Sequence, residues 1–314
     1  TGFPKGCMHT HQTLMGNAIL GYWNNTTAGV TSLASVPMFH ITGLLYYVLV
    51  NVFIGTTTLV INRWERGLAS RLIKKYSVTH WTCIPTMIAD IMGDDAYKEF
   101  GFQQLRYISG GGTGMPKALA DKLQDEFGLS FVEGYGLTEC SPIIVGNPMS
   151  TDRRPGYVGI PFPDTEVRIA NPDNLDETQP DGVEGEVLAR GPQIFKGYLN
   201  NQEATDAAFH GDWFRTGDMG IMEEDGFIRL VSRIKEIIIT GGFNVAPTEV
   251  ETALKLHDSV ADAAVVGIPN DDGNETVVAA VVLAIVFLLL VFAPVTLVRM
   301  FGRPFCSSKR AETS

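Results

Sequence analysis

The chain has 314 residues, with 24 Lys or Arg against 35 Asp or Glu, so its formal net charge is −11. This acidic balance argues against a nucleic-acid partner, because proteins that bind nucleic acids are typically basic. Hydrophobic residues make up 45% of the chain and glycines number 33, a composition that excludes fibrous and disordered proteins.

Segments that resemble strands and helices alternate through the first half of the chain. Short apolar runs predict strands at 33–38, 57–61, 79–84 and 105–111. Apolar residues at helical spacing predict helices at 68–76 and 116–127, the second opening with Pro116 at the first helical position. Because strands alternate with helices, we predict an α/β fold with a parallel sheet.

The pattern changes after residue 150. Short alternating runs separated by Gly, Pro and Asp turns predict an antiparallel, barrel-like region, within 158–170, 185–198 and 226–239. A predicted helix at 246–256 and predicted strands at 261–269 and 277–283 then indicate a small α+β module. The predicted architecture is therefore a parallel α/β part, a β-rich part and a small α+β part.

Four cysteines are present, at Cys7, Cys83, Cys140 and Cys306. No two of them form a CxxC pair, and their spacing fits neither a zinc site nor a disulfide framework. This usage favours a reducing compartment, and we expect a cytoplasmic or organelle-associated protein. The start of the sequence shows no secretory signal.

Three clusters combine glycine with polar side chains that could hold a nucleotide. Residues 1–6 read TGFPKG, where backbone N–H groups and the Lys5 ammonium could approach phosphate oxygens. Residues 133–139 read EGYGLTE, which supplies an aromatic ring for a base, a hydroxyl for phosphate and a carboxylate for Mg²⁺. Residues 213–218 read WFRTGD and 232–235 read SRIK. The Asp carboxylate of the first could accept hydrogen bonds from ribose hydroxyls, and an Arg could supply a second, charge-assisted contact. Taken singly, the first and third patterns are more typical of ordinary turns and surface charges, and the second favours neither interpretation.

Taken together and in this order, the motifs resemble those of the AMP-forming acyl-CoA synthetases, the adenylate-forming ligase family. Further stretches carry the same resemblance, at 37–44 (PMFHITGL), 109–116 (SGGGTGMP), 185–201 (GEVLARGPQIFKGYLNN) and 241–251 (GGFNVAPTEVE). The resemblance extends from residue 1 to about residue 283. It implies a partial large domain at 1–231, α/β to about 149 and β-rich from 150, then a hinge at 232–235. A partial small C-terminal α+β domain at 236–283 follows.

The resemblance also implies roles for individual residues. It places Lys5, Thr138 and Glu139 in catalysis, with Glu139 as the Mg²⁺ ligand. It assigns the nucleotide to Gly112, Tyr135, Thr138, Asp218 and Arg233, the substrate pocket to His40, Gly110 and Gly134, the hinge to Lys235, and the loop of the coenzyme A step to Gly241, Gly242 and Phe243.

The implied reaction uses ATP, Mg²⁺ and coenzyme A. A carboxylate attacks the α-phosphorus of MgATP to give an acyl-adenylate and pyrophosphate, and a thiol then displaces AMP. Relatives that adenylate amino acids place an Asp where this chain has His40. An acid without an α-amino group is therefore favoured, and we expect a fatty or aryl acid.

The sequence also departs from the family pattern. The Ser/Thr residues that open the family's phosphate loop would lie upstream of Thr1, and Ser232 replaces the Asp or Gly that is usual before the ribose Arg. The family's last motif, which carries a further Lys, has no counterpart after residue 283, and Lys309 does not fit that role. Two hypotheses follow: an acid–thiol ligase, or a catalytically incomplete relative that binds nucleotide or partners.

Residues 277–298 form an uncharged run of 22 residues, long enough to span a bilayer as a helix. Three interpretations stay open: a non-native or frame-altered C-terminus, a membrane anchor that gives the protein a membrane contact, and a buried helix. Acidic residues precede the run and basic residues follow it, an orientation that would place the ligase domain away from ATP. We therefore prefer the interpretation of a non-native or frame-altered C-terminus.

Overall fold

The computed structural model describes residues 4–19, 27–112, 114–148, 154, 156–240, 243–257, 259–270, 275–283 and 296–299. The chain separates into two compact units. The first contains the described residues of Thr1–Thr216 and Gly220–Leu230, and the second contains those of Gly217–Met219 and Val231–Ser314.

A seven-stranded sheet dominates the first half of the first unit. Its strands are β1 (Thr31–Ala34), β2 (Thr57–Val60), β3 (His80–Cys83), β4 (Tyr107–Gly110), β5 (Phe131–Tyr135), β6 (Val145–Gly146) and β7 (Ile160–Pro161). They lie in the order β2-β1-β3-β4-β5-β6-β7. The strands β1 to β5 pair in parallel, and β6 pairs antiparallel with both β5 and β7. The predicted α/β fold with a parallel sheet is confirmed.

Helices connect these strands. They are α1 (His11–Ala18), α2 (Ile41–Gly43), α3 (Val50–Ile54), α4 (Arg66–Tyr76), α5 (Pro85–Met92) and α6 (Lys117–Phe127), with a π-helical segment at Leu44–Leu49 between α2 and α3. Fully buried residues of these helices, Ile73, Ile88 and Leu123, join Trp81 and Ile108 of the sheet in one apolar core. The α6 helix begins one residue later than predicted, because Pro116 has an extended ψ of 129° and precedes the first turn.

An antiparallel sheet follows β7 along the chain. It contains β8 (Glu166–Asn171), β9 (Asn174–Thr178), β10 (Gly185–Arg190), β11 (Phe209–His210) and β12 (Trp213–Met222) in the order β11-β12-β10-β8-β9, with β13 (Ile228–Arg233) beside β12 and α7 at Gln202–Ala207. Its core contains Ile169, Val187, Phe214 and Ile228. The β-rich region predicted after residue 150 is therefore confirmed.

The second unit is a small α+β module. It contains the hairpin of β14 (Ile238–Thr240) and β15 (Phe243–Val245), α8 (Pro247–Lys255), and the strands β16 (Val260–Pro269), β17 (Glu275–Leu283) and β18 (Thr296–Arg299). The last three strands form an antiparallel sheet in the order β16-β17-β18. Val265, Val277 and Val281 are buried in its core, against which Val250 and Leu254 of α8 pack.

The structure corrects part of the interpretation of 277–298 as a membrane-spanning helix. Residues 277–283 belong to β17, where Val277 pairs with Gly267 and Val281 with Ala263. A strand in a protein sheet cannot be part of a spanning helix, so that interpretation is wrong for these residues. Residues 284–295 lie outside the described part of the chain. Among the described residues, no helix has the length and apolar character needed to cross a bilayer.

The same substitution at two strand positions should separate the packed core from the surface. Val187→Ala in β10 removes two methyl groups from a fully buried side chain, whereas Val60→Ala in β2 alters a side chain that is 59% exposed. We expect Val187→Ala to lower the free energy of unfolding by about 2 kcal/mol and Val60→Ala by less than about 0.5 kcal/mol. Urea denaturation measures both, and equal losses would contradict the assigned core.

Candidate functional site

Two segments far apart in sequence pair beside the TGFPKG motif. The Leu199 amide donates to the Gly6 carbonyl at 2.7 Å, and the Lys196 amide donates to the Met8 carbonyl at 2.9 Å. The Met8 amide in turn donates to the Gly197 carbonyl at 2.9 Å. This antiparallel ladder of residues 6–8 with 196–199 fixes the first motif against the segment that follows β10.

Tyr198 connects two of the predicted catalytic residues. The Lys5 ammonium lies 4.2 Å from the centroid of the Tyr198 ring, within the range of a cation–π contact. The Tyr198 hydroxyl donates to Glu139 Oε1 at 2.7 Å. Burial, together with the hydrogen bond and negative charge of Glu139, raises the pKa of Tyr198, so this hydroxyl stays protonated and remains a donor. One ring therefore contacts a cation on its face and a carboxylate at its hydroxyl.

Thr138 and Glu139 lie in a turn directly after β5. Thr138–Cys140 forms a single 3₁₀ turn in which Thr138 is exposed and Glu139 is partly buried. The Phe195 amide donates to the Glu139 carbonyl at 2.8 Å. Tyr135, at the end of β5, is buried in the core of the antiparallel sheet. Lys5, Thr138 and Glu139 are thus brought to one place, although more than 130 residues separate Lys5 from the other two.

The Cys7 thiol belongs to the same cluster. Burial raises its pKa to about 11, and the Glu139 carboxylate adds to the effect by repulsion and by a thiol hydrogen bond, while Lys5 opposes it. Because the thiolate is the reactive form, this cysteine is a poor nucleophile at neutral pH.

Asp218 and Arg233 form an ion pair in the second unit. Asp218 on β12 is buried, with only 5% of its surface exposed. Arg233 Nε lies 3.1 Å from Asp218 Oδ1, and the Arg233 side chain is 60% exposed. A buried carboxylate held by a guanidinium can accept hydrogen bonds from a pair of hydroxyls. The structure therefore brings the two predicted ribose ligands together.

The residues predicted for the coenzyme A step and the hinge are described in part. Gly241 and Gly242 lie outside the described residues, and Phe243 begins β15, where its backbone pairs with Thr240. Lys235 lies in the 3₁₀ turn Ile234–Glu236, and its side chain is not among those described.

The residues predicted for the substrate pocket lie at the ends of elements. His40 is exposed, and its Nδ1 accepts a hydrogen bond from the Thr42 amide at 3.2 Å, which caps α2. Gly110 ends β4, where a Cβ would lie 1.9 Å from the Cys83 carbonyl oxygen, so only glycine fits. Gly112, which is predicted to bind the nucleotide, follows with a φ of 86°, in the left-handed region that favours glycine. Gly134 lies in β5 opposite Gly146.

Sequence reasoning missed two arrangements that support these residues. Tyr198 lies inside the 185–201 stretch but received no role, because nothing in its spacing indicates a contact with Glu139. Glu186 is 1% exposed and is bound by Arg215, with Arg215 Nη2 at 2.8 Å from Glu186 Oε2. This pair fixes β10 to β12, since a buried carboxylate without its partner would be strongly destabilising.

A separate cavity of about 350 Å³ lies between α6 and β5, lined by residues that include Met115, Lys117, Phe131 and Glu133. Burial raises the pKa of Glu133, whose Oε1 accepts a hydrogen bond from the Met115 amide at 2.7 Å. Thr138 and Glu139 do not line this cavity. It is therefore a feature distinct from the Lys5–Tyr198–Glu139 cluster.

Comparison with known proteins identifies the class to which this arrangement belongs. The AMP-binding enzyme family matches residues 1–199, and the AMP-binding enzyme C-terminal domain matches residues 249–287. The first match covers more than half of the chain, and the chain therefore belongs to the AMP-binding enzyme family.

Individual relatives agree with this assignment. The chain is 36% identical over 286 residues to a long-chain-fatty-acid–CoA ligase of Yersinia pestis, a match that covers 88% of this chain and 50% of the relative. ATP-bound MatB from Rhodopseudomonas palustris is similar in structure, with a TM-score of 0.86 and 28% identity over 92% of this chain and 57% of that one. The o-succinylbenzoate coenzyme A synthetase MenE of Bacillus subtilis, in complex with ATP and magnesium ion, gives a TM-score of 0.78 and 28% identity over 90% and 58%. The chain spans about half the length of the curated relatives it matches.

Substitution of Glu139 should change the acidity of Cys7 in a defined direction. Glu139→Gln removes a negative charge that disfavours the thiolate, so we expect the pKa of Cys7 to fall below about 11. It should stay above the ordinary thiol value of 9.0, because burial is the largest cause of the shift. The measurement is the rate of iodoacetamide alkylation of Cys7 between about pH 7.5 and pH 10, followed by peptide mass spectrometry.

Two further variants serve as controls for this measurement. Lys5→Met should shift the alkylation profile of Cys7 to higher pH, since the ammonium lowers the pKa of the thiol. Glu177→Gln alters an exposed carboxylate on β9 and should leave the profile unchanged. An unaltered profile in Glu139→Gln would show that the Glu139 carboxylate does not act on Cys7.

Proposed function

We propose that this protein contributes the nucleotide-binding residues of an ATP-dependent acid–thiol ligase. In the first step, a carboxylate oxygen of the acid attacks the α-phosphorus of MgATP and pyrophosphate leaves, which gives an acyl-adenylate. In the second, the thiol sulfur of coenzyme A attacks the acyl carbon, its proton is lost and AMP leaves. Family membership supports this activity, as do the ATP complexes of two structurally similar proteins.

The single observation that carries the proposal is the bridge from Lys5 through Tyr198 to Glu139. In this cluster the Lys5 ammonium and the Glu139 carboxylate each contact Tyr198, although two opposite charges could instead pair directly. A polyphosphate carrying Mg²⁺ presents both charges, so the Lys5 ammonium is suited to phosphate oxygens and the Glu139 carboxylate to the metal ion. Adenylation needs positioning and charge stabilisation rather than a protein nucleophile, which agrees with the high pKa of Cys7.

The donor set fits Mg²⁺ that arrives with the nucleotide. Mg²⁺ is held by one or two protein carboxylates together with phosphate oxygens and water. Glu139 supplies one carboxylate, whose Oε1 is already oriented by the Tyr198 hydroxyl. Bound there, the metal ion would neutralise phosphate charge. The protein's part is to hold that carboxylate in place.

For the remaining residues we propose contacts with the nucleotide and the acid. Thr138 is exposed beside Glu139 and would donate its hydroxyl to phosphate. Tyr135 and Gly112 would contact the adenine. The Asp218 carboxylate would accept hydrogen bonds from the ribose hydroxyls, and Arg233 would help to orient them. His40, Gly110 and Gly134 would line the acid pocket, Lys235 would serve the hinge, and Gly241, Gly242 and Phe243 would form the loop of the coenzyme A step.

We propose a fatty or aryl carboxylic acid as the substrate. His40 stands where an amino-acid-adenylating protein needs an acidic partner for ammonium. The similar proteins act on acids without an α-amino group, namely a long-chain fatty acid and o-succinylbenzoate.

Carboxylate-dependent exchange of labelled pyrophosphate into ATP tests the proposal. We expect exchange above the acid-free background with a fatty or aryl acid and none with amino acids. Glu139→Gln should lower the exchange rate by about tenfold or more, because a charge that stabilises the transition state is lost. The matched control Glu177→Gln, on the exposed face of β9, should retain the unsubstituted rate.

Binding of MgATP, measured by titration calorimetry, completes this experiment. The unsubstituted chain should bind MgATP, and Glu139→Gln should bind it more weakly. A chain that neither binds MgATP nor exchanges pyrophosphate with any acid would refute the proposed function.

A further inference from the structure

His9 reaches the turn that carries Thr138 and Glu139. It follows the ladder of residues 6–8, which fixes its position. Its Nε2 lies 2.8 Å from the Thr138 carbonyl oxygen, and its Nδ1 lies 2.9 Å from Ser141 Oγ and 3.2 Å from Thr13 Oγ1. One imidazole ring therefore contacts the first residue of the turn and the residue that ends it.

The chemistry of the partners determines the tautomer of His9. A carbonyl oxygen can only accept, so Nε2 must carry a hydrogen and donate it to Thr138. Burial lowers the pKa of His9, which keeps the ring neutral at neutral pH even though the hydrogen bond to Thr138 and the charge of Glu139 favour its charged form. The Nδ1 lone pair can then accept from the Ser141 or the Thr13 hydroxyl, each of which also lies within hydrogen-bonding distance of a backbone carbonyl, that of Gln193 and of Thr10 respectively.

The backbone of the turn needs such support. Ser141 has a φ of 62°, in the left-handed region that non-glycine residues rarely adopt, and it is fully buried. The hydrogen bond that closes the turn, from the Ser141 amide to the Thr138 carbonyl, is long at 3.3 Å. Asn17 of α1 holds the middle of the turn, where its Nδ2 donates to the Cys140 carbonyl at 2.8 Å. The turn is thus held by side chains of the N-terminal segment at its start, middle and end.

We propose that His9 is a positioning residue that fixes the turn at 138–141, and with it the Glu139 carboxylate, against residues 6–8. It does not contact the reacting atoms itself. Its Nε2–H sets the direction of the Thr138 carbonyl and therefore of the peptide that joins Thr138 to Glu139. The consequence for MgATP rests on the proposed function, whereas the consequence for the turn does not.

Amide hydrogen exchange tests the structural part directly. His9→Phe keeps an aromatic ring near Phe195, whose centroid is 6.4 Å from that of His9, but removes both ring nitrogens. We expect the amides of Cys140, Ser141 and Phe195 to exchange about tenfold faster. The reason is that the turn loses the hydrogen bond from His9 Nε2 to the Thr138 carbonyl. His9→Gln keeps an N–H group at the length of Nε2 and should restore exchange to near the unsubstituted rate.

Further variants guard this test against general loss of structure. His210→Phe removes an exposed histidine contact with Asp176 in β9 and should leave the three turn amides unchanged. If His9→Phe also speeds exchange at Ile108 in the core, the comparison moves to His9→Asn, whose shorter amide cannot reach Thr138. Fast turn exchange in His9→Asn with slow exchange in His9→Gln supports the proposal. Equal rates in these two variants, or an unchanged turn in a folded His9→Phe, overturn it.

Pyrophosphate exchange distinguishes this proposal from the proposed function. We expect His9→Phe to raise the KM for MgATP by about tenfold with a smaller change in the maximal rate, and His9→Gln to restore the KM. Faster turn exchange in His9→Phe, in a protein whose unsubstituted form neither binds MgATP nor exchanges pyrophosphate, would uphold the positioning role and overturn the proposed function. An unchanged KM in His9→Phe, with the unsubstituted chain active, would overturn the role of His9 in orienting Glu139.

Discussion

The hydrogen bond from Tyr198 to Glu139 joins the parts of the first unit that carry its motifs. Glu139 follows the last parallel strand, and Tyr198 follows the buried strand β10. Tyr198 can occupy this position because the ladder of residues 6–8 with 196–199 fixes its backbone, and the same ladder places Lys5 over its ring. Three stretches of sequence are therefore held by one aromatic side chain. Loss of the Tyr198 side chain would remove the contact that each charged group, Lys5 and Glu139, makes with it.

The two sheets provide the rigid support for this arrangement. The parallel strands end at β5, and the turn that carries Thr138 and Glu139 begins three residues later. The antiparallel sheet is fixed by the ion pair of the buried Glu186 with the partly exposed Arg215, which connects β10 to β12. Side chains from both regions, Tyr135 and Phe214 among them, share one apolar core. Functional groups on short turns can hold defined positions because packed strands flank them.

Much of the architecture follows from local pattern. Apolar runs at strand length and amphipathic helical spacing predict β2 to β4, α4 and α8 to within a few residues, because burial of one face decides each element. The start of α6 differed by one residue, since Pro116 has a ψ of 129° and is the N-cap rather than the first helical residue. The hydrophobic run at 277–298 left more than one structure open, and its first residues form the strand predicted at 277–283. Apolar composition does not distinguish a helix from a strand, and 277–283 form a strand between β16 and β18, in which Val282 and Leu283 are exposed.

The sequence by itself determined the family, the three-part order of the chain and the residue types of the candidate site, because glycine, lysine and carboxylate motifs in a fixed order carry that information locally. Only the tertiary structure decided which of those residues meet. The contacts of Tyr198 with Lys5 and Glu139, of His9 with Thr138, and of Arg215 with Glu186 each join segments 29 to 193 residues apart. No local spacing encodes such a contact. It arises when strands and helices pack together and bring distant side chains within contact distance.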